Sequence, residues 1–201
     1  MASTSSDKQK KKASLKSNIV QLGIFALIIG GLYLTGYHTV VFGKLQQAVL
    51  WTGIFQPDMQ QKAQTPAGAR GPLLLERQNG EQLKLSQLEG KTVFINIWAT
   101  WCPPCRAEMP GIQKLHDKVD KTKVEFVMLS VDDSWGPVRK YIKNNEYDFP
   151  VYRPRSPLPE ALQSQVVPTS FVLDPQGNIV MKKEGMAKYN TTDFKNYLEG
   201  L

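Results

Sequence analysis

The sequence predicts an α/β domain carried behind one membrane-spanning helix. Three observations lead there: an uncharged apolar run from Asn18 to Gly43, an alternation of strand-like and helix-like patterns from Val93 onward, and the chain's two cysteines, Cys102 and Cys105, directly after the most apolar strand. With 201 residues and 41% hydrophobic content, the chain holds one domain's worth of core once the apolar run is set aside. The formal charge is +7, yet residues 1 to 43 hold five Lys against Asp7, and the remainder carries 20 basic and 17 acidic side chains. The basic excess is N-terminal. No basic stripe interleaved with aromatics marks a nucleic-acid surface, so no nucleic-acid partner is expected.

Residues 1–17 are Ser, Thr, Lys and Gln with Lys8, Lys10, Lys11, Lys12 and Lys16, and read as a disordered cytoplasmic tail. Residues 18–42 lack charge and are long enough to cross a hydrocarbon core of about 30 Å. The run exceeds a signal-peptide h-region of about 7 to 15 residues and no small-x-small cleavage site follows closely, so a retained signal anchor is expected. Five lysines before it, against Lys44 just after, orient the N-terminus to the cytoplasm and the bulk of the chain outside. Residues 43–71 form a juxtamembrane segment and linker: an apolar cluster around Trp51, Ile54 and Phe55 suits the bilayer interface or the domain surface, and Gln56 to Gly71 suits a tether.

The domain spans residues 72–201. Leu73 to Leu75, Asn79-Gly80, then Leu83 and Leu85 at period two predict an N-terminal hairpin with its turn at Asn-Gly. Val93 to Trp98 is a nearly continuous apolar run, the pattern of a strand buried on both faces. From Pro103 to about Asp120, Ile112, Leu115 and Val119 recur at helical spacing, with Pro110 set to bend the helix. Val124 to Val131 reads as a second buried strand, and Asp133-Ser134 as the cap of a helix from Trp135 to Asn144. Tyr147 to Tyr152 reads as a short strand, Arg153 to Pro159 as an extended loop and Ala161 to Gln165 as one helical turn. Thr169 to Asp174 and Asn178 to Lys183 pair around Pro175-Gln176-Gly177, and Thr191 to Glu199 closes the chain as a helix.

The chemistry concentrates in Trp101-Cys102-Pro103-Pro104-Cys105. Two thiols at this spacing can close a small disulfide ring, and a helix beginning at the first would aim its N–H groups at that sulfur and stabilise a thiolate there. Proline suits such a start because its fixed φ fits the first turn and its missing N–H lacks a partner there anyway. A lone CxxC lacks the other two ligands of a tetrahedral zinc site, and His116 is too little to complete one. No metal is expected. Cys102 is the expected nucleophile and Cys105 the resolving thiol.

The block Asn96-Ile-Trp98-Ala-Thr-Trp101-Cys102-Pro-Pro-Cys105-Arg-Ala-Glu108-Met-Pro110, with Val167-Pro168-Thr169 some sixty positions later, resembles the TlpA-like branch of the thioredoxin superfamily. That branch includes the ResA-like and DsbE-like membrane-anchored thiol-disulfide oxidoreductases. The resemblance implies a thioredoxin-like fold with a mixed sheet, the hairpin as an extra, and a cis peptide before Pro168 beside the disulfide, where Val167 presents its backbone to a partner polypeptide. It places Trp101, Pro103, Val167, Pro168 and Thr169 on the substrate side. Where cytoplasmic thioredoxins hold a buried Asp, this chain has Asn96, which cannot titrate, and Glu108 matches the carboxylate the branch uses instead. A solvated Glu108 pairing with Arg106 or Lys114 is the competing reading.

The resemblance further implies a reductase of cysteine pairs in extracytoplasmic proteins, such as apocytochromes c or copper-site proteins, fed by a membrane thiol-electron donor at a bacterial inner membrane and needing no cofactor. Two alternatives stay open: a thiol oxidase running the same pair the other way, and a copper chaperone, for which Met109 and Met186 are the available extra soft ligands. The peroxiredoxin motif Pro-x-x-x-Thr-x-x-Cys would need Pro and Thr where the chain has Ile95 and Ala99.

Overall fold

The computed structural model describes residues 21–24, 26–27, 30–31, 48–49, 57 and 71–201. The chain divides into two units, Met1–Phe42 and Gly43–Leu201. In the first, the described residues are helical, with Leu22, Ile24 and Leu27 exposed. Most of residues 18–42, and the cluster around Trp51, lie outside the described residues. Among the described residues no helix is long and apolar enough to cross a membrane.

In the second unit a seven-stranded sheet runs in the order β2-β1-β5-β4-β3-β6-β7. Its strands are β1 (Leu74–Arg77), β2 (Gln82–Lys84), β3 (Thr92–Trp98), β4 (Val124–Ser130), β5 (Val151–Pro154), β6 (Thr169–Leu173) and β7 (Ile179–Glu184). The helices are α1 (Pro103–Lys118), α2 (Trp135–Asn144) and α3 (Thr192–Glu199). β3, β4 and β5 are mutually parallel, and β6 joins β3 antiparallel. β1 pairs antiparallel with both β2 and β5, so the hairpin extends the sheet beyond β5.

The hairpin turns at Asn79-Gly80, where Gly80 takes φ 85°, a conformation cheap only without a Cβ. The outgoing strand is shorter than its alternation suggested. It ends at Lys84, because Leu85–Leu88 wind into a 3-10 turn in which the Gln87 side chain accepts from the Lys84 N–H at 2.8 Å. That turn buries both Leu85 and Leu88, three residues apart.

β3 is buried along its whole length, so its alternation divides the core in two. Phe94 and Trp98 face a cluster holding Met109, Ile112 and Leu115 of α1, Val138 of α2 and Phe194 and Leu198 of α3. Val93, Ile95 and Ile97 face the other cluster, with Leu73, Leu75, Leu85, Leu88 and Leu162. Asn96 therefore points its side chain to the helix-covered face, between Phe94 and Trp98.

Two elements differ from expectation. The strand placed over Tyr147 to Tyr152 is instead β5, Val151–Pro154, which runs into the segment expected as loop. Tyr147 and Phe149 stack on one another at 5.1 Å, and Phe149 sits edge-on to His116, so these aromatics serve the core and not a ladder. The turn expected over Ala161 to Gln165 is a 3-10 turn at Glu160–Leu162. α1 runs unbroken through Pro110, and Ser134 caps α2 by position without a side-chain hydrogen bond.

Candidate functional site

β3 delivers the chain to a loop, Ala99 to Trp101, that is tied to the end of β4. Asp132, just past β4 and 4% exposed, accepts from the Thr100 N–H at 3.0 Å, the Thr100 hydroxyl at 2.6 Å and the Ser130 hydroxyl at 2.8 Å. The Val131 N–H donates to the Trp98 carbonyl at 2.9 Å. These bonds fix where α1 begins. Asp132 was not expected: its partner Thr100 lies 32 residues away, and an Asp after a strand reads locally as turn chemistry.

Cys102 is the N-cap of α1, with Pro103 and Pro104 filling the first turn. Its Sγ accepts from the Cys105 N–H at 3.2 Å, so one of the helix's unpaired N–H groups is aimed at the sulfur. The two cysteines are joined as a disulfide with Cα atoms 5.3 Å apart. Both are buried, Cys105 fully. Trp101 beside them is 64% exposed, and Pro103 is half-buried.

β6 brings the other wall of the site. Thr169 lies opposite Ile97 of β3, and just before it the Val167-Pro168 peptide is cis. The Val167 carbonyl oxygen lies 3.6 Å from Cys102 Sγ, placed to accept from a Cys102 thiol once the disulfide is opened. Thr169 donates its hydroxyl to the Val166 carbonyl at 2.7 Å, holding the approach to the cis bond.

Glu108 lies one turn along α1 from Cys105 and is 1% exposed, which removes the solvated reading. Its Oε1 accepts from Asn96 Nδ2 at 2.7 Å and its Oε2 from the Ala187 N–H at 3.1 Å. Asn96 Nδ2 also donates to the Ser170 hydroxyl at 2.9 Å, across the β3–β6 register. Burial pushes the Glu108 carboxyl from its ordinary 4.5 to about 8, against the two hydrogen bonds, which favour the ionised form. The Tyr189 hydroxyl, fully buried, has Glu108 and Ser170 as polar neighbours but makes no well-formed hydrogen bond. Arg106 lies over the Tyr141 ring at 5.4 Å and does not pair with Glu108. Ala187, Ser170 and Tyr189 had no local signal: only the tertiary fold brings them to Glu108.

Away from this site, His116 Nδ1 sits 3.2 Å from Asp148 Oδ1 near the end of α1. With Asp117, this is the one group among the described residues close enough to share a cation, and the Gln113 amide already donates to both carboxylates.

A mixed sheet with a buried strand ending in a helix-capping CxxC pair beside a cis-proline defines a thiol-disulfide oxidoreductase of the thioredoxin fold. A profile of the AhpC/TSA family matches residues 62–182, and the chain belongs to that family. Within it the chain is a TlpA/ResA/DsbE-like oxidoreductase of the thioredoxin superfamily. It is 30% identical over 194 residues to the thiol-disulfide oxidoreductase ResA of Bacillus subtilis, covering 94% of this chain and 96% of that protein. Among solved structures it resembles StoA of Bacillus subtilis, with 26% identity, a TM-score of 0.55, and 66% of this chain and 98% of that one covered. A thioredoxin-family thiol:disulfide interchange protein of Chlorobium tepidum gives 27% identity and a TM-score of 0.56, covering 66% and 94%.

Proposed function

We propose that this protein is a membrane-anchored reductase of protein disulfides on the outer face of a bacterial inner membrane. The observation that carries the thiol-exchange chemistry is the buried Glu108, held well above the usual carboxylate range one helical turn beyond the buried Cys105. In the reduced protein the Cys102 thiolate attacks a substrate disulfide. A Cys102–substrate bond forms and one substrate thiolate leaves. The Cys105 thiol passes its proton to the Glu108 carboxylate. Burial that holds the Glu108 carboxyl at about 8 brings it into the range where it can take a proton from a thiol. The Cys105 thiolate then attacks Cys102 Sγ, the second substrate thiolate leaves, and the protein holds the disulfide seen here. Two electrons have moved to the substrate.

Cys102 is thus the nucleophile, Cys105 the resolving thiol and Glu108 the proton acceptor. Trp101, Pro103 and Val167 form the surface where the substrate chain lies, with the buried Pro168 and Thr169 supporting it from behind. The uncharged run 18–42 supports the anchor, as do the exposed Leu22, Ile24 and Leu27 on its described helical residues. Substrates are extracytoplasmic proteins with cysteine pairs, in the maturation of c-type cytochromes or copper sites. Re-reduction falls to a membrane thiol-electron donor.

Cys105→Ser should accumulate mixed disulfides on Cys102 in membranes, resolved by reductant on gels. Recovery of no adduct would refute a protein substrate. A Cys102–Cys105 potential near about −120 mV, that of a strong periplasmic oxidant, would refute the reductase direction.

A further inference from the structure

We propose that Asn96 is a positioning residue for the Glu108 proton and works by reversing its side-chain amide: Nδ2 faces an ionised carboxylate, Oδ1 a protonated one, and Ser170 changes from acceptor to donor in step. The inference rests on Glu108 exchanging a proton during thiol exchange. Asn96 is fully buried and its Nδ2 makes both of its hydrogen bonds, to Glu108 and to Ser170, while its Oδ1 has no partner. This is the arrangement that suits an ionised Glu108, because both of its oxygens are then accepting.

A proton added to Oε1 would point at an amide nitrogen that cannot accept it. A half-turn of the amide about its last torsion puts Oδ1 at the place now held by Nδ2. The acid then donates to Oδ1, and the Ser170 hydroxyl, able to give or to take, donates to it as well. The orphan changes from the Oδ1 acceptor to the two N–H donors of Nδ2, so the reversal carries a cost that the bonds from the protonated acid and from Ser170 to Oδ1 must offset. An Asp at this position would itself titrate, and a Leu could serve neither state.

The titratable groups facing Glu108 are few. Cys105 lies one turn back on its own helix, and Tyr189 faces it from the chain between β7 and α3. β3 and β6 contribute the neutral Asn96 and Ser170, and the Ala187 backbone contributes an N–H. The shift of Glu108 is set by burial and by the two donors. Asn96 is the one of the two donors whose group can also accept.

The test is a pH titration of the full-length oxidised protein by NMR, following the Glu108 side-chain carboxyl carbon and the Asn96 amide protons. Contacts between the Nδ2 protons and the Ser170 β-protons should be present above the Glu108 midpoint and vanish below it. In Asn96→Leu the bond to the ionised form and the bond to the protonated form are both gone, so the midpoint should rise by about one pH unit or less, the charge-assisted bond being the stronger. Amide contacts that persist on both sides of the midpoint would overturn the proposal, as would a rise of about two pH units or more in Asn96→Leu, which would mean that Asn96 serves the ionised form alone. If that variant does not fold, the wild-type titration still decides. Neither measurement uses a substrate or a donor, so an error in the direction of electron flow would leave both unchanged.

Discussion

Replacing Glu108 by Gln should remove most of one pH dependence from the protein's stability. In the folded oxidised protein Glu108 keeps its proton up to a pH of about 8, whereas in the unfolded chain it ionises near its ordinary 4.5. Between these values the folded state holds one proton more than the unfolded state, so the contribution to stability falls as pH rises, by about 1.4 kcal/mol per unit. Below 4.5 both states are protonated and above 8 both are ionised, and the loss levels off at roughly 4 to 5 kcal/mol. Gln has the shape of the protonated acid and never ionises. Urea unfolding of the wild type and Glu108→Gln, both with the disulfide intact, would be compared at pH 5, 6, 7 and 8. Subtracting the curves cancels other titrating groups, such as His116, whose pKa burial lowers. The variant should be no more stable than the wild type at pH 5 and clearly more stable at pH 8. A difference constant to within about 0.5 kcal/mol across that range would refute a buried, proton-holding Glu108.

Two other substitutions separate the scaffold from the chemistry. Asp132→Ala leaves the Thr100 and Ser130 donors without their acceptor and should cost about 2 to 4 kcal/mol in urea unfolding, with faster alkylation of reduced Cys102. A loss under about 0.5 kcal/mol would mean that the loop does not depend on it. Trp101→Ala, at a residue 64% exposed, should move stability by no more than about 0.5 kcal/mol. It should slow reduction of a protein disulfide more than that of a small aromatic disulfide, and equal slowing of both would remove Trp101 from the docking surface.

What could be read from the chain alone follows from how local each interaction is. Val93 to Trp98 could be placed because a strand buried on both faces must be apolar throughout, and its one exception, Asn96, marked the position of interest. The helix after Cys102 was visible because its cap and prolines are contiguous. Glu108 was visible as a position but not as an environment: a helix Glu between Ala107 and Met109 looks the same buried or solvated until β3, β6 and the chain after β7 close over it. Asp132 was invisible because its work is done on Thr100, across a strand pairing. Tyr147 and Phe149 have strand propensity, yet packing against α1 and α2 decided the conformation of their segment.

At both margins the sheet ends in a strand with one side unpaired, open to another chain. At one margin β2 is only three residues long and shows Gln82 and Lys84 to solvent. At the other, β7 ends in Lys182, Lys183 and Glu184, with Lys182 paired to Glu184 at 2.9 Å. Short length and charge at a margin discourage foreign strands from adding there. An extended chain thus finds poor templates at the borders, and crowded copies of the domain have little means of zipping together into aggregates.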